Sequence, residues 1–188
     1  MKNGITRDNF SLNHLKLLKG GGIESTTIIE TNIDGAFMEI ERKQKTPIVP
    51  HPDLENRIRG FKEMLLISCR FMGINAVMKK PGFNPRKDQK EAIKQMQDIL
   101  LERTTVTGIH VSGQDQNEGV IISGKIQAEN GSNIAINSPR MRFSSAVYGF
   151  EEQLEGEVAV IEGELFKYLH EDKKAQLEIL DTDQDGKA

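Results

Sequence analysis

The stretch Thr104–Leu169 constrains this chain most, because it reads as three consecutive strands delivered onto one long amphipathic helix. A helix with one apolar stripe must bury it, and a three-stranded meander offers the surface on which to do so. In Gly119-Val120-Ile121-Ile122-Ser123-Gly124-Lys125-Ile126 β-branched residues dominate, Glu129-Asn130-Gly131-Ser132 spells a turn, and alternation resumes in Asn133–Asn137. The expected strands are Thr104–Ser112, Glu118–Ala128 and Ser132–Phe143, with the polar run Gly113–Gly119 as a looser turn. Ser138-Pro139 interrupts the ladder, since proline has no N–H to donate, and Ser144-Ser145 offer capping hydroxyls to a helix from about Ala146 to Leu169. Val147, Phe150, Leu154, Val158, Ile161, Leu165 and Leu169 then share one stripe at spacings of three and four.

The first half of the chain repeats this order. Phe10–Lys19 leads to Gly20-Gly21-Gly22, which lacks the spacing and the Lys-Ser/Thr of a phosphate loop and so reads as a tight strand connection. Ile23–Thr31 and Ala36–Lys45 read as strands around the turn Asn32-Ile33-Asp34-Gly35, and Thr46-Pro47 stops the ladder. After His51, Asp53 stands near the positive end of a helix over Pro52–Phe71, whose apolar positions Leu54, Ile58, Phe61, Leu65 and Cys69 recur at three and four. The sequence thus predicts an α+β fold of two βββα pseudo-repeats, forming a mainly antiparallel sheet with the helices packed on one face. It predicts a single domain over 1–188, with halves 10–72 and 104–170, a helical and basic insertion at 73–103, and a disordered acidic tail at 178–188. In architecture alone this layout resembles one domain of a DNA sliding clamp.

Composition fits a globular chain able to bury a core, with 37% hydrophobic and 28% charged residues. The single cysteine, Cys69, excludes an intrachain disulfide, and its apolar setting marks it as a small core residue. Neither a signal peptide nor a long apolar run is visible, so the expectation is a protein of a reducing cytoplasm without a membrane partner. His14, His51, His110 and His170 lie far apart in sequence without metal-ligand spacing, and no nucleophile elbow, kinase set or dinucleotide fingerprint is present. The sequence therefore points to binding, not catalysis, with no cofactor and no metal.

The net charge of −3 conceals strong segregation. Met78–Lys90 carries five cations, Lys79, Lys80, Arg86, Lys87 and Lys90, against Asp88, with Phe83 among them. Such a segment suits phosphate contacts and the stacking of a base, so these six residues are the candidate nucleic-acid contacts. The opposite sign gathers on the last helix and just after it, where Glu151, Glu152, Glu155, Glu157, Glu162, Glu164, Glu171 and Asp172 face Lys167 alone. Such density implies either solvation or a basic partner. Asp181-Thr182-Asp183-Gln184-Asp185-Gly186 matches the opening of a calcium loop, but the sequence has no acid at the twelfth position, so no calcium site is assigned.

Two resemblances follow. Gln176-Leu177-Glu178-Ile179-Leu180 is similar to the peptide by which proteins bind a sliding clamp, which makes Gln176, Leu177, Ile179 and Leu180 candidate partner contacts. The blocks Leu15–Glu24, His51–Leu54, Gly119–Lys125 and Tyr168–Gln176 resemble small proteins of bacteriophages and mobile elements, which tend to be encoded among replication and recombination genes. The resemblance carries no activity of its own; taken with the basic segment and the clamp-like peptide, it sets the expectation of a non-enzymatic accessory binding protein of phage-type DNA metabolism, with nucleic acid, a sliding clamp or another replication protein as partner, and with self-association into a homo-oligomer through free sheet edges. Its acidic helix suggests the alternative of a protein inhibitor of a host factor, and virion structure is a third class.

Overall fold

The computed structural model describes residues 5–33, 36–72 and 87–171. Strands β1 (Phe10–Leu17), β2 (Ile23–Ile33) and β3 (Ala36–Thr46) are followed by helices α1 (Pro52–Gly60) and α2 (Lys62–Ser68). Helix α3 (Lys87–Arg103) leads directly into β4 (Thr104–Ser112), β5 (Gly119–Gln127), β6 (Asn133–Asn137), β7 (Met141–Arg142) and helix α4 (Glu151–His170). The fold is α+β, as the sequence predicts. All pairings are antiparallel, in the order β3-β2-β1-β4-β5-β6, with β7 on the end of β5.

This order places the first three strands on one side and the later ones on the other, joined where β1 meets β4. The seam is short, with His14 opposite His110, Leu15 opposite Ile109 and Lys16 opposite Gly108. One face of the sheet carries Leu12, Leu15, Ile23, Val106, Ile109, Val120 and Ile122, which form a single core with Leu54, Ile58, Leu65, Leu154, Ile161 and Leu165 of the helices. Each fully buried Leu or Ile in such a core contributes about 1.5–3 kcal/mol. The glycine triplet closes β1 onto β2 as a turn, in which the Leu18 N–H donates to the Gly22 carbonyl at 2.8 Å and Gly21 adopts φ +87°. Among the described residues no helix is long and apolar enough to cross a membrane.

Three boundaries differ from the sequence reading. The helix expected over Pro52–Phe71 is two, broken at Phe61 (φ −75°, ψ 7°), and the break turns Met64, Leu65 and Leu66 all into the core. The strand expected over Ser132–Phe143 is split into β6 and β7 by Ser138-Pro139. There the Ser138 N–H donates to the Ile122 carbonyl while its hydroxyl accepts from the Ile122 N–H, so one residue closes both backbone groups of the partner strand. The last helix begins at Glu151, not Ala146; Ser144 is no cap, since its hydroxyl donates to the Gln116 carbonyl, and Val147, expected on the apolar stripe, is 78% exposed. The halves therefore share an order of strands, while their helical parts differ.

Candidate functional site

Of the candidate nucleic-acid contacts, Lys79, Lys80, Phe83 and Arg86 lie outside the described residues. Lys87 opens α3, with its side chain likewise outside them, and Lys90 is exposed on that helix. Lys94, one turn further on, is also exposed, beyond the end of the basic cluster read from the sequence. The helix projects these cations because it meets the core mainly through its last turns, where Leu100 and Leu101 pack against the main cluster. Below them Phe71, Met96, Ile99, Leu100 and Ile126 line an apolar groove of about 590 Å³ between α3 and the end of β5. The clamp-like residues Gln176, Leu177, Ile179 and Leu180, and the Asp181–Gly186 loop, lie outside the described residues.

The acidic helix proves largely committed within the chain. Glu157 pairs with Arg57 of α1 at 3.1 Å, Glu162 with Arg7 at 3.4 Å and Glu164 with Lys167 at 2.9 Å. Glu151 is 3% exposed and folds back on the preceding turn, accepting the N–H groups of Tyr148, Gly149 and Phe150. Four of the seven acids from Glu151 to Glu171 thus serve the fold itself. Glu152, Glu155 and Glu171 stay exposed, fewer charges than the sequence suggested for a face addressed to a basic partner.

The histidines correct the sequence reading more directly. His14 and His110, 96 positions apart in sequence by subtraction of their numbers, stand opposite one another at the seam, with ring centroids 6.1 Å apart. Burial, the nearby His110 and Lys16 hold the His14 pKa below the ordinary histidine value, against the pull of Glu24. Two imidazoles supply only two ligands, and among the described residues no group of three His, Cys, Asp or Glu side chains is placed to hold a metal ion. Cys69 is half-buried, its thiol donates to the Asn137 carbonyl at 3.3 Å, and burial raises its pKa, so it has the character of an inert thiol.

Beyond the seam β1 and β4 diverge, because β1 carries a bulge between Leu12 and His14. The divergence opens a polar cleft of about 660 Å³, lined by Ser11, Leu12, Asn13, Ser112, Asp115 and Glu118 among others. The Leu12 N–H finds its acceptor at Glu162 of α4, 3.0 Å away. Burial raises the Glu162 pKa and Glu118 adds to this, outweighing Arg7 and the Leu12 N–H. Glu118 is raised as well, by burial and by Glu155 and Asp115. Raised carboxyl pKa values in a cleft often mark acid–base chemistry. Here the bulge gives Glu162 a structural task, and among the described residues no group of three His, Cys, Asp or Glu side chains stands with it to hold a metal ion.

That task yields a prediction with a definite sign. An acid whose folded pKa is raised binds its proton more tightly when folded, so its contribution declines as pH rises from the ordinary carboxylate range through the raised value. Glu162→Gln keeps an acceptor for Leu12 and removes the buried charge, so it is expected to match or exceed the parent at pH 8 in urea unfolding. Glu162→Ala strands the Leu12 N–H and is expected to cost about 1–3 kcal/mol. A Gln variant as unstable as the Ala variant would show that the charge, not the acceptor, is what the fold uses.

Comparison with known proteins found no matching family model, no matching curated protein and no matching solved structure.

Proposed function

We propose that this chain is a non-enzymatic accessory binding protein of phage-type DNA metabolism, which contacts nucleic acid through the basic segment from Lys79 to Lys90 and its continuation on α3. The observation that supports this reading is the exposure of Lys90 and Lys94, one turn apart on a helix held to the core near its far end. The overall charge of −3 gives little long-range attraction to DNA, so binding rests on these local cations. Each phosphate contact releases counterions, and Phe83 would add stacking that favours unpaired bases. The resemblance to replication-associated phage proteins supplies the setting.

Titration of labelled single- and double-stranded DNA tests the proposal. Four or five phosphate contacts predict a log–log salt slope of about −3 to −5, and the Phe83 contact predicts preference for the single strand. Changing Lys79, Lys80, Arg86 and Lys87 together to alanine is expected to abolish binding, and changing Lys90 and Lys94 together to weaken it about tenfold, with a shallower slope. Binding by the fourfold variant that equals the parent's would refute the assignment.

A further inference from the structure

We propose that two copies of this chain pair through the outer edges of their β3 strands, antiparallel and with Arg42 at the two-fold axis, so that one sheet runs through both copies. Among the described residues strand β3 hydrogen-bonds to β2 alone, and its Ala36–Gln44 side chains are almost all exposed. An edge of eleven residues leaves alternate N–H and C=O groups facing outward, ready to accept another strand. The opposite edge is β6, which is only five residues long and is followed at once by Ser138-Pro139.

Charge selects both the occupant and the register. Residues of one parity share a face, so Glu39, Glu41, Lys43 and Lys45 form a row of two acids followed by two bases. Such a row is complementary to itself when reversed. With Arg42 opposite Arg42 of the second copy, Glu41 meets Lys43 and Glu39 meets Lys45, and symmetry forms each pair twice. A shift of two residues in one direction sets Glu41 against Glu41, and in the other Lys43 against Lys43. In the chosen register the other face sets Ile40 against Gln44 and Met38 against Thr46, and Arg42 against itself is the one like-charge contact.

Two features of the single chain favour the same register. Glu39 lies directly opposite Glu30 of β2, a like-charge pair that Lys45 of the second copy would offset. Phe37 is 87% exposed, and the register carries it to the second copy's segment after Thr46, where Ile48 and Val49 are 46% and 45% exposed. Apolar surface at each end of one strand would be covered by apolar surface at the other end of its copy.

Sedimentation velocity on the full chain without DNA tests the pairing independently of the nucleic-acid reading. The parent is expected to be dimeric at tens of micromolar, with a dissociation constant that rises at least about tenfold from low to high salt. E39K/E41K and K43E/K45E are each expected to be monomeric alone, since every cross-pair becomes repulsive, and to form a heterodimer when mixed. In a Cys69→Ser background, Arg42→Cys is expected to form a disulfide-linked dimer on mild oxidation, because directly opposed residues lie within disulfide reach. A monomeric parent, charge variants that dimerise as the parent does, or a mixture that stays monomeric would overturn the proposal. Should a charge variant fail to fold, the Arg42→Cys chain decides alone, and its failure to cross-link overturns the register.

Discussion

Gly108→Ala is expected to destabilise the protein by about 3 kcal/mol. Gly108 lies in the three-pair seam opposite Lys16. A Cβ there would press on the Leu15 carbonyl oxygen and stand 3.1 Å from the Lys16 Cα. These are backbone atoms of the neighbouring strand, so no rotamer change relieves the clash. The seam cannot open locally either, because Leu15 and Ile109 within it are 0% and 1% exposed and both belong to the core. Either the strand pair separates or the bulge between Val106 and Gly108 deepens, and both expose apolar surface. Gly20→Ala is the matched control, since a Cβ there meets nothing within 4 Å, and it is expected to change stability by less than about 0.5 kcal/mol. Urea unfolding of both variants decides; a Gly108 variant that loses under about 1 kcal/mol would show that the seam is not what joins the halves.

Glu151→Ala is the second large effect, expected to cost about 2–3 kcal/mol at neutral pH. The carboxylate accepts from Tyr148 at 2.8 Å, Gly149 at 2.7 Å and Phe150 at 3.0 Å, and the residue is almost entirely buried. Burial pushes its pKa up, but these N–H groups and its own push it down harder, and the net pKa lies below the ordinary carboxylate value. An acid with a lowered folded pKa stabilises the fold fully above the ordinary carboxylate range and loses that contribution as pH falls through the folded value. The parent should therefore hold its margin over Glu151→Gln from pH 7 down to the ordinary carboxylate range and lose it progressively as the pH falls below that. At pH 7 the Gln variant, which keeps one acceptor oxygen and loses the charge, should fall between parent and Ala. A parent–Gln difference independent of pH would mean that the ionised carboxylate is not what holds the turn.

Local periodicity carried much of the architecture. Alternation marked β2 to β5, the three- and four-residue spacing of Leu154, Val158, Ile161 and Leu165 marked the face of α4, and proline positions marked where ladders stop. These are properties of neighbouring residues, so the chain declares them without its fold. The start of α4 was misplaced for a reason of the same scale: serines cap helices by reputation, whereas here a buried glutamate in the first turn reaches back to three preceding N–H groups.

What the fold alone decided concerns groups remote in sequence. His14 faces His110 because β1 and β4 meet, and nothing in the residues around either histidine announces that pairing. Glu162 is spoken for because a bulge in β1 leaves the Leu12 N–H in need of an acceptor, and Glu157 because α1 brings Arg57 alongside α4. The acid row on α4 reads from sequence as an outward charge, and the fold turns much of it inward. On β3 the Glu39, Glu41, Lys43, Lys45 row was present in the sequence throughout, but only the sheet order made it an edge. Sequence fixes which charges a strand carries; tertiary structure decides whether its hydrogen bonds are already taken.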